Sequence, residues 1–130
     1  MIAFNDVREY LLNKPEAEES FPFGPDAYVY KVQDKVFALL FGKEGHERLN
    51  LKCEPRQAQE LRDIFTGVIA GYHMNKTHWN TIVLDSDVPL GELQRQVDHS
   101  YGLIVKSLTR VKRQYLQTRY SDQELGLLDS

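Results

Sequence analysis

Between Gly71 and Trp79 the chain gathers His73, Asn75, Lys76 and His78 just ahead of its only tryptophan. Imidazoles can ligate a metal, move a proton or hydrogen-bond a ligand, and amide and ammonium groups can position an anion. His73 and His78 stand five residues apart, a spacing that does not stack them on a helix and sets them on opposite faces of a continuous strand. A metal site would need a turn between them and further ligands from elsewhere. Asp85, Asp87, Asp98 and His99 are of the right type, but no ligand-spaced motif joins them. Local hydrogen bonding is the favoured reading of both histidines, and no metal or other cofactor is expected.

Nucleophilic chemistry finds less support. Ser100 follows His99 directly, and neighbours on a helix point about 100° apart, too far for a nucleophile–base pair. The chain has no nucleophile-elbow motif, and Gly42-Lys43-Glu44-Gly45 reads as a hairpin rather than a phosphate loop. Cys53 falls on the apolar side of an alternating segment and reads as an inert core thiol. No catalytic residue is assigned and no enzymatic activity is expected.

Two binding chemistries remain. In one, Arg48, Asn50 and Lys52 share an exposed sheet face beside Lys76, His78 and Trp79, offering phosphate contacts and a stacking ring for DNA. Lys106, Arg110 and Arg113 fall on one stripe if a helix runs through them and would extend that surface. The plainer reading of that stripe is a solvated helix end whose cations complement the helix dipole. In the other, a pocket lies between the histidine-rich segment and two phenylalanines, with Phe21, Phe23, His73, Asn75, His78 and Trp79 as its lining.

The elements that position these residues can be read from periodicity. Phe4, Val7, Tyr10 and Leu11 predict a first helix, capped by Asn5 or Asp6 and ended by Lys14-Pro15. Residues 16–25 predict a loop stiffened by Pro22, Gly24 and Pro25. Strands are predicted over residues 28–32, 35–42, 47–53 and 79–84, the second apolar on both faces as a covered central strand is. Glu54-Pro55 opens another helix, with Ala58, Leu61, Ile64 and Phe65 as its buried stripe. The turn Asp85-Ser86-Asp87 is placed to cap a last long helix, whose apolar stripe runs from Leu90 to Leu108. Gly102 interrupts that stripe at a cost of ~1 kcal/mol against alanine, which suggests that another element approaches closely there.

The run GYHMNKTHWNTIVLDSDVP, continuing into GELQRQVDHSYGLIVKSL, resembles the MmcQ/YjbR family. The upstream blocks SFPFGPDAYVYKVQDKVFALL and RLNLKCEPRQAQELR fit the same pattern, over roughly residues 4–113. The resemblance implies an α+β, CyaY-like single domain, and it implies the DNA-binding role commonly attached to the family. The fold expected is an antiparallel sheet of about five strands with the N- and C-terminal helices packed on one face. Iron binding in that fold class is associated with an acidic first helix; here Asp6 and Glu9 stand in the helix and Glu16, Glu18 and Glu19 in the loop. Residues 1–113 are taken as the family domain and residues 114–130 as a polar C-terminal tail, with a short helix at Ser121 to Leu128 capped by Ser121.

Composition sets the outer bounds. At 130 residues one domain is expected. A net charge of −3 gives no general attraction to nucleic acid, so any DNA binding must be weak, salt-dependent and local. One cysteine excludes an internal disulfide and suits a reducing compartment. No stretch approaches the ~20 apolar residues of a membrane helix, and no signal peptide is read. A cytoplasmic monomer is the expectation.

Overall fold

The computed structural model describes residues 2–72 and 74–128. In chain order the elements are α1 (Phe4–Leu12), β1 (Glu18–Ser20), β2 (Ala27–Val32), β3 (Lys35–Phe41), β4 (Arg48–Lys52), α2 (Pro55–Ile64), β5 (Val68–Ala70), β6 (Trp79–Val83), α3 (Leu90–Ser107) and α4 (Arg110–Gln117). The strands form an open antiparallel sheet in the order β1-β2-β3-β4-β6-β5. Helix α3 packs across β3 and β4, and α1 packs on α3. The α+β single domain expected from the sequence is therefore present, with six strands instead of about five. Neither β1 nor β5 is among the four strands that alternation locates; both are three-residue edge strands, too short for alternation to register.

The core lies between the sheet and the helices. Tyr30, Ala38, Leu40, Leu49, Leu51 and Ile82 supply the sheet side, and Leu93, Val97, Tyr101, Ile104 and Val105 supply α3. One irregularity sets the depth of that contact. Tyr30 pairs with Ala38 but the next residue, Lys31, pairs with Val36, leaving Phe37 as an extra residue in β3. The Phe37 ring packs edge-on against Tyr101, centroids 5.1 Å apart. Its carbonyl accepts a 2.7 Å bond from the Ser100 hydroxyl, which in turn accepts one from the Lys52 amide at 2.9 Å. Ser100 thus bolts α3 to two strands.

Elsewhere polar side chains tie α1 to the sheet. The Arg8 guanidinium donates twice to Glu19 on β1, at 2.9 and 2.8 Å, and the Tyr30 hydroxyl donates to the same carboxylate at 2.6 Å. That pairing holds the Glu19 carboxyl below the usual carboxylate range, with Arg8 the larger cause. Glu19, which the acidic-surface reading placed in a loop, is a structural anchor. Tyr10 donates to Asp98 on α3 at 2.7 Å, and Lys14 pairs with the same carboxylate.

Several local expectations are corrected. Helix α1 starts earlier than expected, with Ala3 at its N-cap, so Asn5 and Asp6 lie inside the helix and do not cap it. Ile64 leaves the buried stripe of α2 and is 67% exposed, because Ala58, Leu61 and Phe65 already complete the inward arc. Asp87 does not cap α3, whose N-cap is Pro89. Its carboxylate instead receives the Thr66 and Gly67 amides at 3.0 and 2.7 Å, anchoring the turn after α2. The start of α2 matches expectation, with Pro55 in its first turn and the Glu54 carboxylate accepting from the Arg56 and Gln57 amides, both at 3.0 Å.

The segment after Arg113, expected as a polar tail, is packed. Leu116 of α4 and Leu125 are fully buried in the main core. The turn carrying Leu125 is closed by a capping box. The Ser121 hydroxyl accepts from the Glu124 amide at 3.1 Å, and the Glu124 carboxylate accepts from the Ser121 amide at 2.9 Å. Leu116 and Leu125 stand far apart in a mostly polar stretch and make a weak periodic signal, and the segment therefore reads as solvated from sequence.

Candidate functional site

The sheet face turned away from the helices carries the site. Cross-strand register puts Ala27 opposite Phe41 and Val29 opposite Leu39. It likewise sets Leu39 opposite Asn50, Asn50 opposite Thr81 and Lys52 opposite Trp79. Directly paired residues share a face, so this side has an apolar floor from β2 and β3 and a polar half from β4 and β6. Arg48, Asn50, Lys52 and Trp79 do share a face, as the sequence predicts. That face is not uniformly open, because Asn50 and Thr81 are fully buried while Arg48, Lys52 and Trp79 are half-buried.

What covers Asn50 is the chain just after β5. The Thr81 hydroxyl donates to the Asn50 side-chain oxygen at 2.6 Å and accepts from the Tyr72 amide at 2.8 Å. The Asn50 amide donates to the Tyr72 carbonyl at 2.8 Å. Two buried polar side chains therefore grip one residue by both its backbone groups, and the Tyr72 ring stands over the sheet against Phe41, centroids 6.1 Å apart. Gly71 makes the approach possible, since a Cβ there would meet Trp79 Cβ and carbonyl oxygen at 2.8 Å each.

Between this wall and the 21–26 loop lies a groove. Its deep part, of about 310 Å³, is lined by Phe23, Ala27, Leu39, Phe41, Tyr72 and Met74, with Asn50 at one side. Its mouth, an overlapping cavity of about 490 Å³, adds Asp26, Lys43, His46 and Arg48. The lining is apolar within and polar at the rim, where two cations, Lys43 and Arg48, face one acid, Asp26. Ligand sites of this kind combine an apolar bed with a few convergent polar groups.

The expected pocket lining is thus partly redrawn. Phe23 lines the groove, but Phe21 turns to the helix side and packs on Tyr28, centroids 4.8 Å apart. His73 lies outside the described residues. The Asn75 side chain accepts from the Thr77 and His78 amides at 2.9 and 3.2 Å, closing a turn. His78 and Lys76 are exposed on that turn, and Trp79 does not line the groove. The residues missed by sequence reasoning are Leu39, Phe41, Lys43, His46, Tyr72, Met74 and Thr81. Paired mid-strand Asn50 and Thr81 are the signal that pointed to them, since buried polar side chains must find partners.

The basic stripe is interrupted. Helix α3 ends at Ser107, and Thr109 caps a separate α4, so Lys106, Arg110 and Arg113 do not share one helix. Arg113 donates to the Lys106 and Leu108 carbonyls, both at 3.4 Å, completing the end of α3. The stripe belongs to the helix layer, whereas Arg48 and Lys52 lie on the opposite sheet face.

The remaining reactive groups are structurally engaged. Burial pushes the Cys53 thiol up to about 11, with the neighbouring Glu54 charge adding to it. His99 Nε2 accepts from the Glu54 amide at 3.3 Å, and burial, with Arg95 and Lys106 nearby, holds its pKa below the usual value. Among the described residues no three His, Cys, Asp or Glu side chains converge as a metal site requires, and no helix is long and apolar enough to cross a membrane.

An open six-stranded antiparallel sheet backed by helices, with a groove on its other face, is the class of fold present. The YjbR family model matches residues 12–103, and the chain belongs to the YjbR family. Escherichia coli K12 YjbR is 33% identical over 115 residues, covering 88% of this chain and 98% of that protein. Bacillus subtilis YyaQ is 40% identical over 65 residues, covering 48% of this chain and 54% of its own length. The crystal structure of a Deinococcus radiodurans protein with a DUF419 domain superposes with a TM-score of 0.82 at 33% identity, covering 90% of this chain and 89% of that one. A Pseudomonas syringae protein superposes with a TM-score of 0.70 at 27% identity, covering 78% and 98%.

Proposed function

We propose that this chain is a small-molecule binding module whose site is the groove on the open sheet face, and that it binds its ligand without transforming it. The observation that carries this reading is the construction of the groove wall. Asn50 and Thr81 are buried polar residues whose hydrogen bonds hold the Tyr72 backbone over an apolar bed. A sheet face with no partner to bind has no need of such a fixture. Binding is favoured over catalysis because Cys53, Ser100 and His99 are engaged in the core or in helix caps, away from the groove. A cytoplasmic setting suits the single buried thiol.

A fragment screen read by methyl and amide NMR tests the reading. Hits are expected to shift Ala27, Leu39 and Met74 together. Hits that map only to the helix side, or no hits from a library rich in aromatic acids and amides, would end it.

A second reading, weak DNA binding, draws on the same face. Lys52 stands directly across from Trp79, and Arg48 lies further along the same strand. This places cations beside a ring, as single-strand binding uses them. Only part of the expected basic set contributes, since Lys106, Arg110 and Arg113 belong to the helix layer.

A further inference from the structure

Resting on the groove reading, we infer that the ligand is a small amphipathic carboxylate, with one ring or a short chain in the apolar part and its anionic end at the mouth. The deep part has Asn50 as its one amide, and that group already donates to the Tyr72 carbonyl and accepts from Thr81. Its remaining lining is carbon, sulfur and the Tyr72 ring, so the inner portion of the ligand has to be apolar. At about 310 Å³ it lies at the small end of ligand cavities, which excludes a long acyl chain.

The mouth has the opposite character. Lys43, His46 and Arg48 face it against one acid, Asp26. Among the described residues no salt bridge joins these three to an acidic side chain. Lys43 and Arg48 make that rim cationic on a chain of net charge −3, so the positive potential is local to the groove. Arg48 pairs across the sheet with Phe41, and Phe41 lines both parts of the groove. A guanidinium fork therefore borders the apolar floor directly, the arrangement that captures a carboxylate attached to a hydrophobic body.

Three probes of one size separate the outcomes: 4-phenylbutyrate, its neutral amide and the corresponding amine, with inorganic phosphate as a fourth. Affinities come from NMR titration of the full chain. The carboxylate is expected to bind about tenfold more tightly than the amide, the low end of what a charge-assisted hydrogen bond supplies. That advantage is expected to shrink as salt rises. Lys43→Gln combined with Arg48→Gln is expected to abolish the advantage by weakening the acid far more than the amide. Equal binding of acid and amide, preference for the amine, or phosphate binding as tightly as the acid overturns the carboxylate inference while leaving the groove in place. If none of the organic probes shifts Leu39 or Met74, the groove reading falls as well.

Discussion

The backbones of Gly102 and Gly126 are in direct contact. A Cβ on Gly102 would overlap the carbonyl oxygen of Gly126, and one on Gly126 would lie 2.9 Å from the Gly102 Cα. The mid-helix glycine that costs α3 propensity is the notch into which the C-terminal turn fits, bringing Leu125 to the core. Gly126 also adopts φ +70°, where a side chain is strained.

Gly102→Ala therefore sets two effects against each other. Helix propensity alone favours alanine by ~1 kcal/mol. The clash is with backbone, which cannot swing aside, and overpacking of this kind costs ~1–3 kcal/mol. Net destabilisation in urea denaturation is the expected result. A gain near the propensity value would show that the C-terminal turn does not hold its place on α3.

Stability at low pH should report on Glu19. Its folded pKa is depressed by Arg8 and Tyr30, so its contribution is present above the ordinary glutamate value of 4.5 and is lost as pH falls below it. At neutral pH, Glu19→Gln is expected to cost about 1–2 kcal/mol, discounted because Arg8 is partly solvated. The gap between the two proteins should narrow as pH falls below 4.5 and the wild-type carboxyl takes up a proton through its depressed pKa. A gap that stays constant with pH would mean that Glu19 acts through shape and not through charge.

Thr81→Val tests the fixture behind the groove. It removes the donor to Asn50 and the acceptor for the Tyr72 amide in one step, leaving buried polar groups unpaired at ~1–3 kcal/mol. Faster exchange of the Tyr72 amide should accompany the loss, since that N–H loses its acceptor. Unchanged exchange there would place the anchoring of Tyr72 elsewhere.

These tests reflect how unevenly the sequence reveals the molecule. Leu51, which alternation sets on the same apolar face as Cys53, and Ile104, within the apolar stripe from Leu90 to Leu108, are 1% and 4% exposed, because strand and helix periodicities are strong over five or more residues. The same periodicity carried the basic stripe past Leu108, where Thr109 starts a new helix by accepting from the Lys112 amide. Periodicity cannot see a helix break that preserves the residue types. The groove was half legible. Alternation placed Arg48, Asn50 and Lys52 on one face, but the coverage of Asn50 depends on where the chain returns after Gly71. That return is a tertiary fact with no local signature.

Binding to DNA is the last outcome to predict. Arg48 and Lys52 lie on the open sheet face, while Arg110 and Arg113 belong to the helix layer, and Arg113 is engaged at the end of α3. A straight duplex cannot contact both sides of the sheet at once, so few phosphates are neutralised at a time. Non-specific binding is accordingly expected at the weak limit of the usual range, ~10⁻⁴ M at physiological salt. The salt slope should be shallow, because it scales with the number of phosphates contacted. Replacing Arg110 and Arg113 by glutamate should leave single-stranded affinity nearly unchanged, whereas Lys52→Glu should reduce it. Fluorescence titration of labelled duplex and single-stranded DNA measures all three. Duplex affinity near 10⁻⁶ M with a steep salt slope, lost in the Arg110/Arg113 double variant, would restore the helix stripe as a nucleic-acid surface and demote the groove.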